Sequence, residues 1–285
     1  MSGEPIGQAW RLVRDRFRKA GLDTADLDAR LLAQEAYGLD AMALIRRERE
    51  VPPEDQEATL ERFAQRRVGG EPVSRIIGER EFWGLRFTLS DATLVPRPET
   101  EMLVSEAVEL LETRPEPSFI DLGTGSGAIA VAIAVGARKS KGTATDISET
   151  ALAQARGNAE RHGVAERISF RAGNWWQAVP DADAFDVIVS NPPYISTGII
   201  PTLPLEVRLF DPTLALDGGV DGLEAYRQLA GQAHRRLKPG GMLLLEIGST
   251  QGSFVSHMVT RAGFKQVEVF QDLQGLDRMV RATHS

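Results

Sequence analysis

Four consecutive residues, Asn191-Pro192-Pro193-Tyr194, are of types that could hold a planar amino group. Each proline fixes its own φ and lacks an N–H, and the residue ahead of each is pushed out of the helical region. The result is a stiff, extended turn whose carbonyls have no local partner. An asparagine oxygen and a free carbonyl would accept from an NH₂ group, and a tyrosine ring would cover its flat face. The tetrapeptide follows residues 185–190, an apolar run that reads as a buried strand. In open α/β sheets, ligands bind outside the carboxyl ends of the strands. Asn-Pro and Pro-Pro are also ordinary turn punctuation, so the tetrapeptide alone leaves site and structural turn both open.

A second cluster, Asp121-Leu122-Gly123-Thr124-Gly125-Ser126-Gly127, leads from a predicted strand into an apolar helix beginning at Ala128. Glycines allow a tight turn and close backbone approach, and a helix N-terminus offers N–H groups. Asp146 ends the next predicted strand, 19 residues after Gly127, where an acid accepts both ribose hydroxyls. Gly123-x-Gly125-x-x-Ala128 also fits the dinucleotide fingerprint. On this loop alone a nicotinamide enzyme is an alternative, as is a glycine turn that binds nothing. Asp121 opposes the nicotinamide reading, because its charge suits an α-amino group better than a pyrophosphate. An Asn-Pro-Pro-Tyr turn also serves no evident purpose in hydride transfer. Gly173-Asn174-Trp175-Trp176 follows the third strand. Asn174 would meet an adenine edge and Trp175 would cover its face; the alternative buries both tryptophans in the core.

These groups need a scaffold. Residues 1–71 read as helices: Trp10, Val13, Phe17 and Ala20 recur at helical spacing before Gly21. Asp23 or Thr24 caps a second helix with Leu27, Leu31 and Leu32 on its apolar face, and Pro52-Pro53 opens another that ends at Gly69-Gly70. Arg46, Arg47 and Arg49 read as a solvated helix face. Residues 72–95 read as a β-hairpin linker, with runs 73–77 and 82–89 separated by Gly78-Glu79-Arg80. From Pro96 a helix begins, and residues 96–285 then alternate strand and helix. Strands are expected at 119–122, 143–147, 168–171, 185–190, 242–247, 267–271 and 278–282, with helices between the first five. This implies an α/β, doubly wound, mostly parallel seven-stranded sheet whose last two strands form an antiparallel pair.

Bulk properties narrow the classes. Hydrophobic residues make up 42% and charged residues 26% of the 285, an ordinary globular composition. There is no cysteine, hence no disulfide and no thiolate chemistry. The longest apolar run, 128–137, is too short to span a bilayer and reads as a buried helix. The start, Met1-Ser2-Gly3-Glu4-Pro5, lacks the charged and apolar regions of a leader. A cytoplasmic location without membrane association is expected. Residues 1–75 hold 13 Lys and Arg against 14 Asp and Glu, and the remainder 20 against 26. Neither part is the basic surface that a phosphate backbone requires, so no direct nucleic-acid partner is expected. His162, His234, His257 and His284 show no ligand spacing, and no metal is expected.

Taken together, these residues resemble the class I S-adenosylmethionine-dependent methyltransferases. More narrowly, they resemble the HemK-type peptide chain release factor N5-glutamine methyltransferases. The resemblance covers nearly the whole chain. It runs through Gly70-Glu71-Pro72, residues 78–84 (Gly-Glu-Arg-Glu-Phe-Trp-Gly), 95–101 (Val-Pro-Arg-Pro-Glu-Thr-Glu), 121–127, 191–194, 215–223 and 245–248 (Leu-Glu-Ile-Gly). The glycine loop and Asn-Pro-Pro-Tyr are shared with many amino-methyltransferases; Pro-Arg-Pro-Glu-Thr-Glu and Gly-Glu-Arg-Glu-Phe-Trp-Gly are more specific. The resemblance implies methylation of the glutamine in the Gly-Gly-Gln motif of class 1 release factors, with residues 1–71 expected to recognise the partner; nothing in the sequence suggests an obligate dimer, and a monomer is expected. Asp121, Gly123, Thr124, Gly125, Ser126, Gly127, Asp146, Asn174, Trp175 and Asn191 would bind the cofactor. Asn191, Pro192, Pro193 and Tyr194 would bind the glutamine, with Asn191, Pro192 and Tyr194 catalytic. Two departures stand out: Asn174 where the family often has Asp, and Arg75 where it often has Tyr, in the expected hairpin. The nearest alternatives, N6-adenine DNA and guanine-N2 ribosomal RNA methyltransferases, use similar turns but need a basic groove. Glu246, at the end of the fifth strand, is expected either in the site or behind the loop.

Overall fold

The computed structural model describes residues 3–284; Met1 and Ser2, the start of the stretch in which no leader is expected, lie outside the described residues. The chain divides into two compact units, one ending at Gly78 and the other beginning at Glu79. The first is helical: α1 (Ile6–Lys19), α2 (Ala25–Tyr37), α3 (Ala41–Arg46), α4 (Glu54–Val68) and α5 (Val73–Ile77). Val13 and Phe17 of α1, Ala29 and Leu32 of α2, and Leu60 and Ala64 of α4 share one core. Gly38 closes α2 in the left-handed region at φ 63°, and Glu54, Asp55 and Glu57 occupy the first turn of α4, where the helix dipole favours them.

Three expectations for this unit are corrected. Leu27 and Leu31 of α2 are 48% and 36% exposed, while Ala25, Ala29, Leu32, Ala33 and Ala36 form the buried face. Both sets have helical spacing; small residues let neighbouring helices approach closely, and they take the inside. Arg46 ends α3, so Arg47 and Arg49 are exposed in a turn beyond it rather than on a helix face. Residues 73–77 are helix, not strand: Pro72 precedes α5, Gly78 closes it at φ 82°, and Ile76 is buried in the helical core. A run of five with Val73, Ile76 and Ile77 as its apolar residues is too short to be assigned by periodicity alone. Arg75 therefore lies in α5, not in a hairpin.

The hairpin comes later, in the second unit. Strands β1 (Glu79–Phe82) and β2 (Leu85–Thr88) pair antiparallel, and Phe82 faces Leu85 across a two-residue turn. Trp83 and Gly84 have φ of 51° and 71°, the mirror-image turn whose twist matches its strands. The Trp83 N–H donates to Glu101 at 2.8 Å, tying the turn to α6 (Glu101–Glu112).

The main sheet has seven strands: β3 (Ser118–Leu122), β4 (Lys141–Asp146), β5 (Ile168–Ala172), β6 (Phe185–Ser190), β7 (Leu237–Glu246), β8 (Gln266–Gln271) and β9 (Asp277–Thr283). Their order is β5-β4-β3-β6-β7-β9-β8. The first five strands in this order are parallel, and β9 runs antiparallel to both β7 and β8. Helices α7 (Ala128–Gly136), α8 (Glu149–Arg161), α9 (Leu205–Phe210), α10 (Glu224–Arg236) and α11 (Gly252–Arg261) complete the unit. Two apolar clusters form on it, one holding α6 and α7 and the other α10 and α11. Every residue of α7 from Ala128 to Ala134 is buried, which explains its uninterrupted apolar run. One expected helix is missing: β5 connects to β6 through a four-residue 3-10 helix, Trp175–Ala178. Trp175 takes a left-handed φ of 47° and Pro180 lacks a donor, so the turn is not propagated. No helix among the described residues is long and apolar enough to cross a membrane.

Candidate active site

Strand order reverses at β3. The chain runs from β3 to β4 and β5 on one side, then returns to β6 and β7 on the other. Ligands bind at such switch points. Asp121 pairs in register with Val189, and Ser190 Oγ donates to the Leu122 carbonyl at 2.6 Å. The next residues on the two strands are Gly123 and Asn191, so the glycine loop and the Asn-Pro-Pro-Tyr turn leave the sheet side by side.

A cavity of about 490 Å³ opens there. Its wall includes Gly123, Thr124, Gly125, Ser126, Asp146, Asn174, Trp175, Asn191 and Pro193. Asp121, Gly127, Pro192 and Tyr194 do not line it. Asp121 lies fully buried beneath the loop, where its Oδ2 accepts from Thr124 Oγ1 at 2.6 Å. Its Oδ1 has no hydrogen bond of ordinary length, and the Ala130 N–H of α7 also helps to hold the carboxyl. Burial pushes this carboxyl up to about 7, against the pull of the Thr124 hydrogen bond. Gly127 precedes α7 at φ 80°, and a Cβ there would stand 2.9 Å from the Ala155 Cβ of α8. Glycine is needed for both reasons.

The loop's hydrogen bonds distinguish the ligands it could take. Gly123 and Thr124 N–H both donate to the Thr145 carbonyl, and Gly127 N–H to the Thr124 carbonyl. Gly125 N–H donates to Asp146 Oδ2 at 2.9 Å. These donors are spent on the end of β4 and within the loop, where a pyrophosphate cradle would keep them free, and the dinucleotide alternative loses its main support. Asp146 is also held through Oδ1, which accepts from Ser148 N–H at 2.9 Å. Each of its oxygens keeps a further lone pair for a diol. The Trp175 ring lies over Gly123, where a Cβ would meet Cζ3 at 3.1 Å. Trp176 is core: it is buried, and its Nε1 donates to the Gln228 and Leu229 carbonyls. A sugar acceptor at Asp146, an aromatic face at Trp175 and a polar edge at Asn174 fit a nucleoside, with the Asp121 carboxyl beneath the loop rather than on the wall.

The Asn-Pro-Pro-Tyr turn is braced from behind. Ile195 N–H donates to the Leu216 carbonyl and Gly218 N–H to the Ile195 carbonyl. A Cβ on Gly218 would stand 2.8 Å from the Pro193 oxygen. Gln251 Nε2 donates to the Tyr194 and Gly222 carbonyls, and its Oε1 accepts from Gly248 N–H. Burial raises the Tyr194 hydroxyl to about 12. Asn191 Nδ2 donates to Thr100 Oγ1 at 3.2 Å, and Thr100 Oγ1 donates to Glu246 Oε2 at 2.5 Å. Glu246 is buried, which lifts its carboxyl to about 7, with the Thr100 hydrogen bond opposing. Glu246 thus stands behind the loop. Thr100 and Gln251 were not identified from their spacing. The signal for Thr100 was its place in Pro-Arg-Pro-Glu-Thr-Glu; Gln251 carried none.

Among the described residues no group of three or more His, Cys, Asp or Glu side chains is placed to hold a metal ion. Comparison with known proteins adds the family. Residues 8–78 match the PrmC N-terminal domain and residues 114–278 a methyltransferase domain. A release factor glutamine methyltransferase from Bradyrhizobium diazoefficiens is 46% identical over 285 residues, covering 99% of this chain and 95% of its relative. Another, from Cereibacter sphaeroides, is 44% identical and covers 96% of each. In fold, the chain is similar to a methyltransferase from Pyrococcus furiosus, with TM-score 0.51, 22% identity, and 70% and 89% of the two chains covered. The chain belongs to the release factor glutamine methyltransferase family.

Proposed function

We infer that the chain transfers a methyl group from S-adenosylmethionine to the side-chain amide nitrogen, N5, of the glutamine in the Gly-Gly-Gln motif of class 1 peptide chain release factors. The observation that carries this reading is the meeting of Asn191-Pro192-Pro193-Tyr194 with the glycine loop across the β3–β6 switch. Relatives named release factor glutamine methyltransferase, matching along nearly the full chain, support it. S-adenosylmethionine supplies an electrophilic methyl group and leaves as S-adenosylhomocysteine. Asp146 holds the ribose hydroxyls, and Asn174 and Trp175 take the edge and face of the adenine. Gly123, Thr124, Gly125 and Ser126 shape the wall, Gly127 turns the chain into α7, and Asp121 acts from beneath on the α-amino group.

An amide nitrogen is a poor nucleophile because its lone pair is delocalised into the carbonyl. Asn191 Oδ1 and the Pro192 carbonyl accept its two N–H groups, which fixes the nitrogen and leaves its lone pair facing the cavity. Tyr194 packs against the amide plane and Pro193 closes the side. Orientation and fixed dipoles supply the rate gain. The proton leaves N5 after the nitrogen is alkylated, and no side chain is assigned as general base. The chain works in the cytoplasm as a monomer, without a metal, a membrane or a nucleic-acid partner. Labelled S-adenosylmethionine offered to a mixture of release factor, DNA and ribosomal RNA tests the reading. Label is expected on the release factor, and label on either nucleic acid would overturn it.

A further inference from the structure

Asn191 acts as an acceptor only if its amide points the right way. A half-turn about the last side-chain torsion exchanges its oxygen and NH₂ at little steric cost. Facing a substrate amide, the flipped form would set donor against donor. We propose that Thr100 and Glu246 form a positioning pair that fixes the Asn191 oxygen toward the substrate, and that this orientation makes the site choose a glutamine amide over a glutamate carboxylate. The inference rests on the reading of Asn191 as the acceptor for the glutamine NH₂.

The direction of the hydrogen bonds carries the argument. Glu246, at the end of β7, and Thr100, at the start of α6, are only 3% and 4% exposed, so water does not compete for them. Above about pH 7, the value to which burial lifts Glu246, its carboxylate is ionised and only accepts. The Thr100 hydroxyl proton is therefore committed to Glu246 Oε2 at 2.5 Å. What remains on Thr100 Oγ1 is lone pair, and Asn191 Nδ2 donates to it at 3.2 Å. Turning Asn191 around would press its oxygen against an oxygen with no proton to offer, a buried mismatch that costs about 1–3 kcal/mol. With the amide held, the Asn191 oxygen and the Pro192 carbonyl are two acceptors. An NH₂ group satisfies both, whereas a carboxylate meets them with lone pairs and charge. Sites built to bond a donor reject ligands that lack it far more strongly than apolar pockets reject a methylene.

Thr100→Val keeps the shape and removes the hydroxyl; Thr100→Ser keeps the hydroxyl. The readouts are turnover on a release factor, affinity for S-adenosylhomocysteine, and affinity for the release factor with its glutamine intact or replaced by glutamate. Wild type should bind the glutamate form about tenfold or more weakly than the glutamine form. Thr100→Val should lower kcat on the order of tenfold to a hundredfold, keep S-adenosylhomocysteine affinity, and bring the two affinities together. Thr100→Ser should restore both kcat and the preference. Glu246→Leu, which removes the acceptor behind Thr100, should repeat the valine result and decides the matter if Thr100→Val does not fold. A kcat loss with the glutamine preference intact in both variants would overturn the pair, since a merely structural defect would do the same. A wild-type enzyme that leaves the release factor unmethylated would instead overturn the functional reading itself.

Discussion

Three buried polar residues, Asp121, Thr100 and Glu246, back the cavity, and on the proposed reading they set its chemistry without forming most of its wall. Asn191→Ala removes the acceptor oxygen and should cut turnover by roughly 10²–10³-fold, as loss of one preorganised polar group does, while the thermal midpoint stays within a few degrees. Wild-type turnover in that variant would contradict the assignment. The two buried acids also fix a pH dependence. Folding raises both carboxyls to about 7, Asp121 and Glu246 alike, chiefly by burial. Glu246 is faced by Thr100, Glu99, Asn191, Arg278, Tyr194 and Tyr226, and none of these reverses the direction. Between their unfolded and folded values these groups bind protons in the folded chain and not in the unfolded one. Their contribution is complete below the unfolded carboxylate range and is lost as pH rises through about 7. Asp121→Asn should therefore shrink the drop in melting temperature between pH 5.5 and pH 8, and an unchanged drop would refute the burial argument. The turn, the loop and Asp146 were legible because proline, glycine and acid act through the backbone nearby. Thr100 was legible only through its motif and Gln251 not at all, because each works through contacts 91 and 57 residues away.

At the scale of elements, the site depends on a second layer behind the turn. Gly222, at φ 72°, faces the Tyr194 carbonyl so closely that a Cβ would collide with it. Gly222→Ala should cost about 1–3 kcal/mol of stability from strain and lower turnover more than cofactor affinity, because the turn moves while the glycine loop does not. Equal losses in both would show that residues 215–223 brace the whole cavity. The sheet was readable from alternating β and α segments and from the short link ahead of β9. The hairpin was displaced by one element because residues 73–77, with β-branched Val73, Ile76 and Ile77, fold as α5 between Pro72 and Gly78. The helix expected between β5 and β6 failed at Trp175, which takes a left-handed φ and lies over Gly123, a contact that no local propensity encodes. The Leu27 and Leu31 expectation failed because an alanine stripe of the same period was the better packing face.

At the scale of the molecule, the helical unit carries its own core, and we assign it recognition of the release factor. Phe17 is fully buried in that core, and Phe17→Ala should destabilise the unit by about 3–5 kcal/mol. S-adenosylhomocysteine affinity, set in the second unit, should be retained while KM for the release factor rises. An unchanged KM would remove the recognition role. The proposed activity requires that the NH₂ held at Asn191 belong to a protein glutamine. Incubating the chain with S-adenosylmethionine and a purified class 1 release factor, then mapping peptides by mass, tests it most directly. A single methyl increment is expected on the Gly-Gly-Gln peptide, located on the glutamine side chain and absent with Asn191→Ala. An unmodified Gly-Gly-Gln peptide, or a methyl on another residue, would contradict it.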